Sequence, residues 1–120
     1  MTEQEHIFHI ANQAAWKTAR RQGCYQLESL AREGFIHAST REQVLRTANR
    51  FYHGQTGLVL LVIETGRLQA EVCYEDLNEE GMLFPHIYGA VNLDAVTGWV
   101  DFLPSTDGTF SFPQQFQAVI

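Results

Sequence analysis

LVLLVI, Leu58 to Ile63, is the stretch that decides the fold. Six consecutive apolar residues are too few for a membrane span and carry no helical periodicity. Gly57 and Gly66 bound the run. It reads as a strand covered on both faces, and therefore as the centre of a sheet. Downstream the chain stays β-rich. Glu71 to Glu75 alternates, with Val72 and Tyr74 opposite Glu71, Cys73 and Glu75. Phe84 to Tyr88, Ala95 to Leu103 and Thr109 to Phe112 are further strand candidates, the last two separated by the turn cluster Ser105 to Gly108.

Upstream the pattern is mixed. His6 to Ile10 reads as a strand with Phe8 and Ile10 on one face and Ile7 and His9 on the other. Asn12 caps a helix to Arg21, with Ala15, Trp16 and Ala19 as its apolar stripe and Gly23 as its stop. Ser29 caps a single helical turn, Leu30 to Glu33. Gly34 to Ser39 returns to strand character, with Phe35, His37 and Ser39 on one face. Thr40 and Gln43 have capping-box spacing. The helix they start runs to about Tyr52 and buries Val44, Leu45, Ala48, Phe51 and Tyr52. Two main helices and a β-rich second half predict an α+β domain rather than a wound parallel sheet.

A chain of 120 residues predicts one domain, with its core over about 6–112 and flexible ends. Its net charge of −6 opposes general nucleic-acid binding. Arg20, Arg21 and Arg32 are the candidate sources of a local basic pocket. Cys24 and Cys73 form no C-x-x-C pair and read as free thiols in a reducing compartment. No signal segment or membrane-length run is seen, which predicts a cytoplasmic protein.

Chemistry concentrates in GFIHAS (Gly34 to Ser39) and FPHIYG (Phe84 to Gly89). His9, His37 and His86 each lie in a short strand flanked by large apolar residues, where an imidazole needs a partner. Each either bonds a backbone carbonyl and fixes the fold, or joins the others in a polar site. Ser39 follows His37 on the same face and suits polar ligand recognition. His86 and Tyr88 share a face, and Gly89 permits close backbone approach. Glu75 ends a strand, where a carboxylate can stabilise a developing cation or accept a sugar hydroxyl. The absence of a G-x-S-x-G elbow argues against a serine hydrolase. Three histidines with Glu75 also permit a metal-enzyme reading, although no H-x-H, H-x-x-x-H or H-E-x-x-H spacing occurs.

Taken together, IFHI, the Trp16-x-x-Ala19 pair, GFIHAS, FPHIYG, Asn92 to Val96 and Asp107 to Phe110 resemble the bacterial domain of unknown function nine-five-two family. That family looks like the ADP-ribosyltransferase superfamily. The resemblance implies a curved, split antiparallel β-sheet around a cleft for NAD or another ADP-ribose-containing nucleotide. It implies that His9 contacts the adenosine ribose and that His37 is the second-strand histidine. Glu75 or His86 is the group beside the nicotinamide ribose. On this reading His37, Glu75 and His86 are catalytic, while His9, Ser39, Tyr88 and Gly89 bind ligand. The alternative is a non-catalytic module that holds a small ligand or peptide in the same cleft.

Overall fold

The structure, a computed structural model, describes residues 6–26, 28–77, 79 and 81–117. Continuous apolarity places β4 (Leu58–Glu64) where the sequence predicts, buried along its whole length. It lies between β1 (His6–Asn12) and β8 (Val96–Phe102), antiparallel to both. Strand alternation then divides the core in two. Leu58, Leu60 and Val62 meet Phe8, Ile10 and Phe102 on one face. Val59, Leu61 and Ile63 meet Ile7, Ala11 and Tyr25 on the other. Each such side chain withdrawn from water contributes about 1.5–3 kcal/mol, which makes β4 the anchor of both faces.

One helix seals each face. In α1 (Gln13–Gln22) the Asn12 side chain accepts from the Ala14 and Ala15 amides, and Gly23 ends the helix at φ 93°. Trp16 and Ala19 pack on the Val59 face. In α3 (Arg41–Phe51) the Gln43 side chain accepts from the Thr40 amide, and Val44 and Ala48 pack on the Leu60 face.

A second antiparallel sheet contains β3 (Ile36–His37), β6 (Phe84–Tyr88) and β5 (Glu71–Glu75), in that order. A ribbon pairs β2 (Cys24–Tyr25) with β7 (Val91–Asn92). The two three-stranded sheets meet at one seam. There Phe8 and Ser39 exchange both backbone hydrogen bonds at 2.8 Å, and the Ala38 amide donates to the Pro85 carbonyl at 3.1 Å. The α+β class and the antiparallel strands are as expected.

Several boundaries differ. The helical turn expected over Leu30 to Glu33 belongs to a short helix, α2 (Glu28–Glu33). The predicted cap at Ser29 lies outside the described side chains. GFIHAS shortens to a two-residue strand, because Gly34 turns at φ 88° and Ser39 leaves β6 to pair with Phe8. Thr109 to Phe112 is not a strand, since the Phe110 amide is taken by the Asn49 side chain at 2.7 Å. Phe116, past the predicted core, is buried, and a Cβ on Gly98 would sit 3.2 Å from its ring. Phe51 is 62% exposed rather than buried, because α3 ends there. The expected fraying of residues 1–5 lies outside the described residues. Both cysteines are free thiols. Among the described residues no helix is long and apolar enough to cross a membrane.

The Ser105–Gly108 turn docks on the end of α3. Gly54 donates to the Gly108 carbonyl at 2.8 Å, and Gly108 sits at φ 89°. A Cβ there would fall 2.5 Å from the His53 ring. Gly108→Ala should therefore lower stability by about 1–2 kcal/mol in urea unfolding, chiefly through the positive φ. An unchanged midpoint would show that the turn does not require glycine.

Candidate functional site

The seam opens on one side into a cleft of about 350 Å³ between α3 and the second sheet. His9 comes to its wall from β1, His37 from β3, His86 from β6 and Glu75 from β5. Ser39 lines it too. Sheet register explains the convergence. His37 stands directly opposite His86, whose other neighbour is Cys73, so alternation throws His37, His86 and Glu75 onto one face.

His9 is 6% exposed and has both ring nitrogens engaged. Its Nδ1 meets the His37 carbonyl at 2.6 Å, and its Nε2 meets the Tyr25 hydroxyl at 2.8 Å. A carbonyl only accepts, so Nδ1–H donates and Nε2 accepts from Tyr25. Burial lowers the His9 pKa to about 4, despite the opposing pull of that carbonyl. Burial likewise raises the Tyr25 pKa. His9 is therefore a neutral clamp across the seam, with no free nitrogen for a ligand.

His86 differs. It is 5% exposed, and its Nδ1–H donates to Glu75 Oε1 at 2.8 Å. The Tyr88 hydroxyl donates to the same oxygen at 2.5 Å. Tyr88, then His86, hold the Glu75 carboxyl below its ordinary pKa, and the same bond pushes Tyr88 up to about 12. Phe35 stacks on the His86 ring at 4.2 Å and meets His37 edge-on at 4.8 Å. His37 is exposed and donates through Nε2 to Glu33 Oε1 at 2.9 Å. Among the described residues, no protein group bonds His86 Nε2 or Glu75 Oε2. A carboxylate that pins Nδ1–H leaves Nε2 as a lone-pair acceptor, which is the arrangement a general base requires.

A scan of protein-family models matches residues 10–99 to "Protein of unknown function (DUF952)". The chain belongs to this family. DUF952 residues in that match include His37, Glu75 and His86. The crystal structure of protein CC0527 from Caulobacter crescentus is similar, at 33% identity over 88% of this chain and 93% of that one, with a TM-score of 0.80. Its solution NMR structure is similar at 32% identity over 92% and 93%, with a TM-score of 0.69. No curated protein matches this DUF952 chain.

The remaining expected site residues lie outside the cleft lining. Tyr88 acts through Glu75. Gly89 packs elsewhere: a Cβ on it would fall 2.9 Å from Ala70 Cβ, so its glycine is explained by close packing within the DUF952 fold. Arg20 lies over Trp99 at 4.5 Å rather than at the cleft. The arginines that do line it, Arg46 and Arg50, belong to α3. Tyr25, Phe35, Arg46 and Arg50 were missed as site residues. Only Phe35 carried a signal, through its shared face with His37. Among the described residues no group of three or more His, Cys, Asp or Glu is arranged to hold a metal.

The His9 clamp gives a pH dependence with a definite sign. Below pH 6.5 the unfolded imidazole takes a proton that the folded one refuses until about pH 4. Stability contributed by His9 is thus present above 6.5 and falls by about 3 kcal/mol between pH 6.5 and 4. Urea unfolding across that range, compared with His9→Gln, measures it. A folded-state His9 titrating near 6.5 by NMR would contradict the clamp.

Proposed function

We propose that the cleft is the site of an ADP-ribosyltransferase-like enzyme that takes NAD or another ADP-ribose-containing nucleotide. The observation that carries this is the Glu75–His86–Tyr88 constellation. An ionised carboxylate and a lone-pair imidazole nitrogen stand side by side, both oriented from behind, at the wall of a cleft. Its volume lies within the range of about 300–1,000 Å³ usual for small-molecule sites. The parting of two antiparallel sheets beside the cleft accords with the split sheet that such enzymes use.

The residues divide the chemistry between them. The ribose–nicotinamide C–N bond breaks, and nicotinamide leaves with the electron pair. Glu75 stabilises the positive charge that develops at the anomeric carbon. The hydroxyl or water that attacks that carbon gives its proton to His86 Nε2. Tyr88 is a positioning residue, because it fixes the carboxylate without facing the cleft. His37 orients the ligand from the opposite strand. His9 shapes the wall and holds its neighbours in place, a role its engaged nitrogens favour over direct ribose contact.

Binding to the folded state must stabilise it, by about 1.4 kcal/mol when ligand is at ten times its dissociation constant. Millimolar NAD or ADP-ribose should therefore raise the melting temperature. Mass spectrometry of NAD incubated with the protein should show free nicotinamide. Glu75→Gln and His86→Ala should retain the fold and lower turnover by about 100-fold or more. Stabilisation without nicotinamide release would mark a binding module. An unmoved melting temperature with NAD, ADP-ribose and simple nucleotides would contradict the proposal.

A further inference from the structure

We infer that the cleft also hydrolyses O-linked ribosides, with the Glu33–His37 pair supplying the proton that the departing oxygen needs. The inference rests on the ribosyl reading of the cleft and adds a second kind of bond at the same carbon. The cleft holds two carboxylate–imidazole pairs. His86 Nδ1 meets Glu75 Oε1 at 2.8 Å, and His37 Nε2 meets Glu33 Oε1 at 2.9 Å. All four residues line the cleft. The two rings stand opposite each other in the β3–β6 register, with centroids 5.5 Å apart, and Phe35 packs against both. Each pair engages one nitrogen of its imidazole. Among the described residues, neither His86 Nε2 nor His37 Nδ1 has a hydrogen-bond partner.

Two imidazoles at one centre let one take a proton while the other gives one. Nicotinamide leaves NAD as a neutral molecule and needs no acid. An alcohol or phenol leaving the same anomeric carbon departs readily only if its oxygen is protonated as the bond breaks. Exposure divides the two roles. His86 is buried, and its free nitrogen stands beside Glu75, where the attacking water is activated. The His37 side chain is 57% exposed, so it regains its proton directly from solvent. In the step, the anomeric C–O bond breaks and its electron pair stays on the leaving oxygen. That oxygen takes a proton from Nδ1 of the His37 imidazolium. Water attacks the anomeric carbon and gives its proton to His86 Nε2. Riboside and water thus give ribose and alcohol, and the proton on His86 returns to His37 through solvent. Glu33 is a positioning residue, which holds the His37 ring through Nε2. The bond is glycosidic rather than a phosphodiester, because Glu75 stabilises a cationic centre and repels a phosphate anion.

The test gives the full chain NAD and, separately, the phenyl and 4-nitrophenyl glycosides of ADP-ribose, and follows the nicotinamide or phenol released. 4-Nitrophenol leaves as its anion with little help, whereas phenol needs a proton. The variants are His37→Gln and Glu33→Gln, both at exposed side chains, and thermal melts verify that each folds. The wild type should hydrolyse both glycosides. His37→Gln should slow the phenyl glycoside by about 100-fold, and at least about tenfold more than it slows the 4-nitrophenyl glycoside or NAD. Glu33→Gln should give the same order of effects, more weakly. Equal slowing of all three substrates would mark a structural role for the pair and overturns the inference. So does a chain that cleaves NAD and hydrolyses neither glycoside. Glycoside hydrolysis without nicotinamide release keeps the acid pair and removes the NAD reading. Inertness toward all three substrates overturns both.

Discussion

The structure hangs on a neutral imidazole. His9 reaches across the seam between two sheets that share one backbone bridge, and it holds the His37 carbonyl on one side and the Tyr25 hydroxyl on the other. Because a carbonyl cannot donate, the proton on Nδ1 is fixed, and so is the direction of the Tyr25 bond. The Tyr25 hydroxyl is a buried polar group that would otherwise stand unpaired in an apolar core. One side chain therefore ties β1, β2 and β3 together. Beyond it His37 and His86 face each other across the β3–β6 register.

The cleft divides labour by wall. The sheet wall carries carboxylates already paired with imidazoles, so its charge is oriented rather than free. The helix wall carries arginines. Phe35 packs against both imidazoles of the sheet wall and covers the buried face of His86, which strengthens the His86–Glu75 bond. The acidic balance of the whole chain says nothing about this local polarity. Net charge describes solubility and long-range steering, while the cleft is set by a handful of side chains.

Much of the scaffold is legible in the sequence, because local rules decide it. LVLLVI announces a doubly covered strand, Asn12 and Gly23 bracket α1, and Thr40 with Gln43 starts α3. The meeting of His37 and His86 follows from strand alternation once the sheet is assumed, while His9 joins them only through the seam between sheets. What the sequence hides is decided by distant contacts. Ser39 pairs with Phe8, thirty-one residues away, so GFIHAS cannot remain a full strand. Phe110 gives its amide to Asn49 and leaves the sheet. Tyr25 sits in a segment without periodicity, and nothing local marks it as the partner of His9. Arg46 and Arg50 fall on the polar side of an amphipathic helix, where a solvated arginine and a ligand-facing one have the same pattern.

The division between a clamping histidine and a working one makes a direct test possible. Long-range proton–nitrogen NMR of the imidazoles reads protonation and tautomer together, before and after ADP-ribose is added. His9 and His86 should both carry the proton on Nδ1 in the free protein. On adding ligand, the signals of His86 and His37 should shift while those of His9 stay fixed. Shifts at His9, a proton on Nε2 of His86, or no response at any histidine would contradict the assignment of the cleft.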